Sequence, residues 1–321
     1  MSSEEILLTV LIVTYNQKDY ISRALDSVLN QKTGFAFEVV VHDDASYDGT
    51  EDIIEYYRSK YPSIIKLVIE KENQYSKGAD HLMRALAQCC RRKYMIILEG
   101  DDFWCDSGKL QKQLEYMERH PEASATTHRC EILRKNEEGN LIRVGYAPSK
   151  KKQNSWSIKE LIDWEDAPHT TSMLYRTQYF KEMPDSILSI SAGDWRTAVW
   201  LRTRGEIHYS NDIMSAHEQF VKGSYTYDNF SKGIYADYDS LLKKRQQWCE
   251  SLDNATNHRY AKLFQLSQDR RLGEYLWYKG KYKEAVRFKG FTDRQKLKKR
   301  VIMWAIGHLP GVERLYKTIV K

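Results

Sequence analysis

Residues 94–104 read YMIILEGDDFW, an apolar run that stops abruptly at three carboxylates, Glu99, Asp101 and Asp102. A short continuous run rich in β-branched and aromatic residues predicts a strand buried on both faces. Two earlier stretches have the same form: TVLIVTYN at 9–16 and EVVVHDDASYDGT at 38–50. Each is followed by a helical pattern. Ile21, Leu25, Val28 and Leu29 fall at helical spacing, and Thr50 reads as an N-cap with Glu51 and Asp52 in the first turn. Residues 64–70 predict a further strand and 78–90 a further helix. Strands alternating with helices predict a parallel sheet covered on both faces. Ligands of such sheets sit outside the carboxyl ends of the strands, where TYN, HDDAS and EGDD all fall.

Three carboxylates within four residues repel one another unless solvent or a cation relieves them. A hard divalent ion, Mg²⁺ or Mn²⁺, suits such a site, taking one or two carboxylates and leaving positions for phosphate oxygens. The competing expectation is a solvated loop in which Asp102 or Asp106 caps a helix starting near Lys109. Farther on, the pattern predicts a helix over 110–118, a strand over 123–128 and a polar, basic loop over 136–154. From about residue 240 the chain reads as helices alone. LGEYLWYKGKYKEAVRF (272–288) resembles one tetratricopeptide-like helix-turn-helix unit, a weak signal without stacked neighbours.

Taken in order, TVLIVTYNQKDYISRALDSVLNQ, EVVVHDDASYDGT and MIILEGDDFW resemble family 2 glycosyltransferases, inverting enzymes of the GT-A fold, over roughly residues 7 to 220. The resemblance implies an α/β fold with a Rossmann-like, mostly parallel sheet flanked by helices. It also implies a donor site in which Tyr15, between Thr14 and Asn16, stacks on a nucleobase that Asp44 hydrogen-bonds. Glu99-Gly100-Asp101 is then the DxD-like motif, with Glu99 where the first Asp usually stands and Asp101 as metal ligand. Lys77 falls where relatives hold a cation near the diphosphate. Asp194, in SAGDWRTAVWL, matches the general base, with a helix-capping role beside Arg196 as the structural alternative. His217, in DIMSAHEQF, matches a histidine that completes metal coordination or touches the diphosphate, although Ser215-Ala216 replaces the usual Tyr-Arg before it. His169, in HTTSMLYR, is a lesser candidate for the acceptor pocket. The implied reaction is metal-dependent transfer from a nucleotide-sugar donor, UDP-linked by default with GDP and dTDP open, to a glycan or lipid-linked glycan acceptor in surface polysaccharide synthesis.

The composition agrees with a folded chain: 41% of its 321 residues are hydrophobic and 29% charged, far from a disordered profile. That length accommodates the catalytic domain expected over 1–230 and a helical region over 231–321. Residues 281–321 carry twelve Lys or Arg against three Asp or Glu, so the rest is slightly acidic and no nucleic-acid partner is expected. The basic tail, with Leu297, Val301 and Trp304 on one helical face, is expected either to lie on an anionic membrane surface or to pack on the body. Five cysteines without a CxxC pair point to a reducing compartment. Acidic residues precede the first apolar run, which is too short to span a bilayer, so a cytoplasmic protein is expected, peripheral to the inner face of a membrane if the tail binds lipid. A catalytically silent nucleotide-sugar binder, or a scaffold using the helical end, is the rival reading. A dinucleotide oxidoreductase is disfavoured because no GxGxxG follows the first strand.

Overall fold

The computed structural model describes residues 6–149, 151, 153–163, 167–221, 227, 238–293 and 297–320. The chain divides into two compact units, Met1–Ser231 and Lys232–Lys321.

The first unit is built on one mixed sheet of nine strands, in the order β3-β2-β1-β4-β8-β6-β9-β5 with β7 beside β6. Strands β1 (Leu8–Thr14), β2 (Phe37–Asp43), β3 (Ile65–Ile69) and β4 (Tyr94–Glu99) pair in parallel, as the alternating pattern predicts. Helices α1 (Ile21–Leu29), α2 (Thr50–Lys60) and α3 (Ala79–Cys89) make the crossovers. Leu8, Val10 and Ile12 of β1, Val39 and Val41 of β2 and Ile96 and Leu98 of β4 pack with Ile21, Leu25 and Val28 of α1 in one fully buried cluster. Deleting a side chain such as Leu25 to alanine there costs about 2–5 kcal/mol.

Beyond β4 the pairing changes. Strand β8 (Leu174–Arg176) lies antiparallel between β4 and β6 (Ala123–Lys135), while β9 (Glu206–Glu218) runs parallel to β6. Short β5 (Phe103–Trp104) is antiparallel to the end of β9. The sheet is therefore parallel in its first half and mixed in its second.

Two local expectations need correction. The stretch read as a loop over 136–154 contains β7 (Leu141–Ala147), a hairpin partner of β6, because β6 runs on to Lys135 and offers its edge. Thr50 is the first residue of α2 rather than its N-cap, which is Gly49 at φ 95°; Asp48 Oδ1 accepts from the Thr50 amide at 3.0 Å and hydroxyl at 2.6 Å, while Thr50 Oγ1 accepts from the Gln17 amide at 3.0 Å. These bonds tie the first strand-helix turn to the second.

Helix α4 (Lys109–Arg119) follows β5, and α5 (Ile158–Asp163), α6 (Thr177–Lys181), α7 (Asp185–Leu188) and α8 (Gly193–Arg204) complete the first unit's described helices. The second unit holds α9 (Tyr238–Ala255), α10 (Ala261–Tyr278), one-turn α11 (Tyr282–Ala285) and α12 (Lys289–Thr292), then α13 (Leu297–His308) and α14 (Val312–Val320). Its two long helices are joined through buried arginines, with Arg245 donating to Ser267 Oγ at 2.9 Å. The helix-turn-helix expected over 272–288 is one long helix followed by a single turn, with Gly280 supplying the left-handed residue at φ 72°. A Cβ on Gly273 would lie 2.4 Å from Phe291, so glycine there permits α12 to approach α10.

Candidate functional site

The parallel register fixes which strand ends meet. Val13 is level with His42 on one side and Glu99 on the other, so Thr14, Asp43-Asp44 and Glu99-Gly100-Asp101-Asp102 emerge together. Two backbone bonds join the turns: the Asp44 amide donates to Thr14 O at 2.9 Å, and the Gly100 amide to Val13 O at 2.9 Å. A Cβ on Gly100 would stand 2.5 Å from Gln17 Oε1 and 3.0 Å from Thr14 Oγ1, so a larger residue there would displace the Gln17 side chain and crowd Thr14.

The β2 turn is internally satisfied. Asp44 is buried, and its carboxylate accepts from the Gln74 amide at 2.6 Å and the Tyr75 amide at 3.0 Å, fixing the Tyr75–Lys77 turn. Asn16 adopts φ 53°, with its side chain accepting from the Tyr47 amide at 3.0 Å and its amide donating to Ser46 Oγ at 2.8 Å. Tyr15 is 41% exposed and meets Tyr47 edge-on, their ring centroids 6.2 Å apart, which leaves an aromatic surface beside Asp44. Lys77 pairs with Glu72 at 2.8 Å on the surface.

The β4 turn is not satisfied in this way. Asp102 is fully buried and its Oδ1 lies 2.9 Å from His217 Nδ1 and 3.4 Å from the Glu218 amide. His217 stands on β9, delivered by the pairing of Ala216 with Phe103. His169 lies beside it, with ring centroids 4.2 Å apart and Nδ1 3.8 Å from Asp102 Oδ2. Glu99, Asp102, His169 and His217 each offer a ligand atom, and these atoms all lie within 4.8 Å of one another. Asp101 is buried next to this group but is not one of the four. Asp102 Oδ2, His169 Nδ1, Thr14 Oγ1 and Gln17 Oε1 are buried without a protein hydrogen-bond partner. Such orphaned atoms, two of them in a carboxylate-imidazole cluster, fit a divalent cation.

The electrostatics agree. Burial, with Asp102 and Asp101 adding repulsion, pushes the Glu99 carboxyl well above its usual range, and burial with Asp102 does the same for Asp101. Burial works against a charged His217, but the charge and hydrogen bond of Asp102 outweigh it and raise the imidazole to about 9. His169, buried and facing His217, is pushed down to about 3. Asp194 sits in the first turn of α8 and is pushed up by burial. It lies near enough for its charge to act on Glu99 and for His217 to act on it. Asp194 Oδ1 accepts from the Trp195 amide at 2.6 Å, whereas Arg196 turns away to the carbonyls of Leu188 and Ile190.

Sequence reasoning did not find what holds these groups. Arg23 of α1 donates to Glu218 Oε2 at 2.7 Å and to Asp101 O at 3.2 Å and lies over the Phe103 ring at 4.3 Å, binding helix, turn and β9 together. Trp104 Nε1 donates to Thr171 Oγ1 at 3.2 Å and Gln113 Nε2 to Ser172 O at 2.9 Å, which seats the turn presenting His169. Neither Asp102 nor Asp106 caps α4, whose N-cap is Gly108; Asp106 accepts from the Gly108 amide at 2.7 Å in the turn before it.

A parallel α/β half-sheet thus ends in a buried acidic and imidazole cluster beside an exposed tyrosine. The Glycosyl transferase family 2 model matches residues 9–182, and the chain belongs to that family. An uncharacterized protein of Mycobacterium tuberculosis is 30% identical over 217 residues, covering 67% of this chain and 60% of that protein. The chain thus spans less than two thirds of that relative's length. A putative teichuronic acid biosynthesis glycosyltransferase of Bacillus subtilis, TuaG, is 35% identical over 117 residues, 36% of this chain and 44% of that protein. Among solved structures, S. aureus TarS 1–349 in complex with UDP-GlcNAc aligns with TM-score 0.58 and 18% identity, covering 94% of this chain and 79% of that one. A Pyrobaculum calidifontis mannosyltransferase in complex with GDP-Man and Mn²⁺ aligns with TM-score 0.53 and 15% identity, covering 97% and 83%. At these identities the structural likeness speaks for the GT-A fold. The chain is accordingly a member of that family with a GT-A fold and a helical C-terminal region. Among the described residues no helix is long and apolar enough to cross a membrane.

Proposed function

We propose that this chain is an inverting, metal-dependent glycosyltransferase that moves a sugar from a nucleoside diphosphate, UDP by default, to a hydroxyl of a glycan or lipid-linked glycan in surface polysaccharide synthesis. The observation that carries this reading is the convergence of Glu99, Asp102, His169 and His217, within reach of Asp194's charge, at the edge where β1, β2 and β4 end. The names of TuaG and of the structures holding UDP-GlcNAc and GDP-Man support the class of donor and product. Residues 1–230 and 231–321 are the corresponding catalytic and helical domains.

In this reading Tyr15 offers its ring to the nucleobase, and Thr14, Asn16 and Asp44 shape the base pocket. Asp44 works through the turn it fixes as well as through any lone pair left for the base. Glu99, Gly100 and Asp101 border the ribose and diphosphate, and Lys77 lies on the turn fixed by Asp44. A divalent cation, Mn²⁺ or Mg²⁺, would be held by Glu99, Asp102, His169 and His217 with Asp101 alongside, and its charge would stabilise the departing nucleoside diphosphate. Asp102 orients His217 by engaging Nδ1, which leaves Nε2 free to act as a ligand. Asp194 takes the proton from the acceptor hydroxyl as that oxygen bonds to the anomeric carbon and the nucleoside diphosphate leaves from the opposite face. Its raised carboxyl keeps it a stronger base than an exposed aspartate.

The test is turnover and binding of a panel of UDP-, GDP- and dTDP-sugars with Mn²⁺, with Mg²⁺ and with chelator. One donor should bind and be slowly hydrolysed only with metal. If no nucleotide sugar is bound or turned over under any of these conditions, the reading fails.

A further inference from the structure

We infer that α13 and α14 form a docking face for an anionic lipid bilayer. The inner side of α13 is Met303 and Ile306, both buried, with Met303 packed on Ala285 and Phe291. The opposite side carries Val301, Trp304, His308 and Leu309, with Ile302 at its margin, all exposed; Trp304 is 56% exposed and stacks on His308, with ring centroids 5.0 Å apart. In α14 the inner contact is Tyr316, which meets the rings of Trp277 and Tyr282. Leu315 and Ile319 project outward, 61% and 73% exposed. Six large apolar side chains are thus left uncovered within nineteen residues, although each helix has an apolar inner contact already made.

The charges around them identify the surface that fits. Lys298, Arg300, Arg314 and Lys317 are all exposed among these residues, and Glu313 is the one acid from Arg294 to the C-terminus. Arg300 reaches Asp293 only at 3.9 Å, and Lys317 pairs with Glu313 at 3.1 Å, so the cationic excess stays on the surface. Apolar side chains including a tryptophan, rimmed by lysine and arginine on short helices, match the headgroup and upper acyl layer of an anionic membrane. A duplex nucleic acid would call for the cations without the uncovered aliphatic groups, and a protein groove would call for a deeper apolar face than these scattered residues provide. The face would keep the enzyme at the layer where a lipid-linked acceptor lies, but the inference does not require that acceptor.

Sedimentation of the full chain with vesicles tests this without any sugar nucleotide, so its outcome is separate from that of the transferase reading. The protein should sediment with phosphatidylcholine vesicles containing phosphatidylglycerol, not with phosphatidylcholine alone, and added salt should release it. Lys298→Glu with Arg300→Glu should weaken binding by at least about fivefold per residue. Trp304→Ser, and separately Leu315→Ser with Ile319→Ser, should each weaken it by about tenfold; these residues are exposed, so circular dichroism and melting should be unchanged. Should one of these helices lose its fold, the variant in the other carries the test. Lipids brominated along their chains should quench a fluorescence component that is lost in Trp304→Phe. Equal binding to neutral and anionic vesicles, no binding to either, wild-type binding by both serine variants, or tighter binding to duplex DNA at the same salt would each overturn the inference.

Discussion

The turns after β2 and β4 carry almost the same carboxylates at the same edge of one sheet, yet their surroundings differ. After β2, Asp44 is held by two amides, Asp43 by the Ser46 hydroxyl and amide, and Asp48 by Thr50 and the Lys18 amide. Those hydrogen bonds outweigh burial for Asp48 and keep its carboxyl below the usual range. After β4, Asp102 has one imidazole and one long amide contact, and its second oxygen is orphaned. Burial pushes Asp43 upward despite its Ser46 bonds, and at the β4 turn burial pushes Glu99 and Asp101 upward with added repulsion from Asp102. The first turn is held by N–H donors and shapes a pocket, whereas the second leaves its three carboxyls to share the one His217 imidazole, and a cation there would stabilise it. Acidic density alone does not separate these roles; the supply of N–H donors does.

The sharpest break of this comparison is at Asp194, whose charge acts on the unsatisfied turn. Asp194→Asn should lower kcat by about 10²–10⁴-fold with donor affinity nearly unchanged, as expected on removing a general base. Steady-state kinetics with calorimetric donor titration checks this. A variant of undiminished kcat would reduce Asp194 to a structural residue of the first turn of α8. Next in size is Asp102→Asn, which keeps the shape but removes charge from the cluster and weakens the orientation of His217. Mn²⁺ affinity, followed by electron paramagnetic resonance, should drop by about 10–100-fold. An unchanged metal affinity would mean that the β4 turn is no less complete than the β2 turn.

Asp44→Ala probes the finished turn and should behave differently. Two partly buried amides, of Gln74 and Tyr75, lose a charged acceptor, so the chain should lose about 1–3 kcal/mol of stability in urea denaturation. Mn²⁺ affinity should stay near the wild-type value while nucleotide affinity falls. A loss of metal binding equal to that of Asp102→Asn would erase the distinction between the two turns.

The reach of the sequence follows the same division. Strands β1 to β4 were legible because each is a short, mainly apolar run with β-branched residues, and the ends of β1, β2 and β4 were legible because polar residues follow without a break. The parallel register that aligns Val13 with His42 and Glu99 follows from the alternation with helices. The partnership of Asp102 with His217 was not legible, since 115 residues separate them and only the pairing of β5 with β9 joins them. His169 was a lesser candidate because the bonds from Trp104 and Gln113 that seat its turn leave no periodic trace. Strand β7 was hidden by its exposed residues and basic surroundings, although LIRVGYA has enough β-formers to occupy an open edge. Lys77, placed near the diphosphate by resemblance, turns to Glu72 because that acid lies on the same short loop.

The smallest effect concerns the far end of β2, where a third acid shows what full counter-charge does. Glu38 is buried and would be raised by that burial, but Arg92 at 3.0 Å, Lys66 at 2.7 Å and the Thr9 hydroxyl at 2.9 Å outweigh it and lower its carboxyl to about 2. A folded-state value below the unfolded one means that the ionised form stabilises the fold. That contribution is complete above about pH 4.5 and is lost as the pH falls through the folded value near 2. Lys66 is exposed and Arg92 partly so, and solvent screening reduces the contribution to about 1–2 kcal/mol. Wild type should therefore exceed Glu38→Gln in urea denaturation at about pH 7 by that amount, and the gap should close toward about pH 2. At the β4 turn the sign is reversed: with the folded-state carboxyls raised, ionisation destabilises the fold, and that penalty disappears on acidification. Glu99→Gln should then gain stability over wild type at neutral pH without metal and lose the advantage at low pH. Parallel rather than opposed pH slopes for the Glu38 and Glu99 variants would show that buried acids at the two ends of the sheet are satisfied alike.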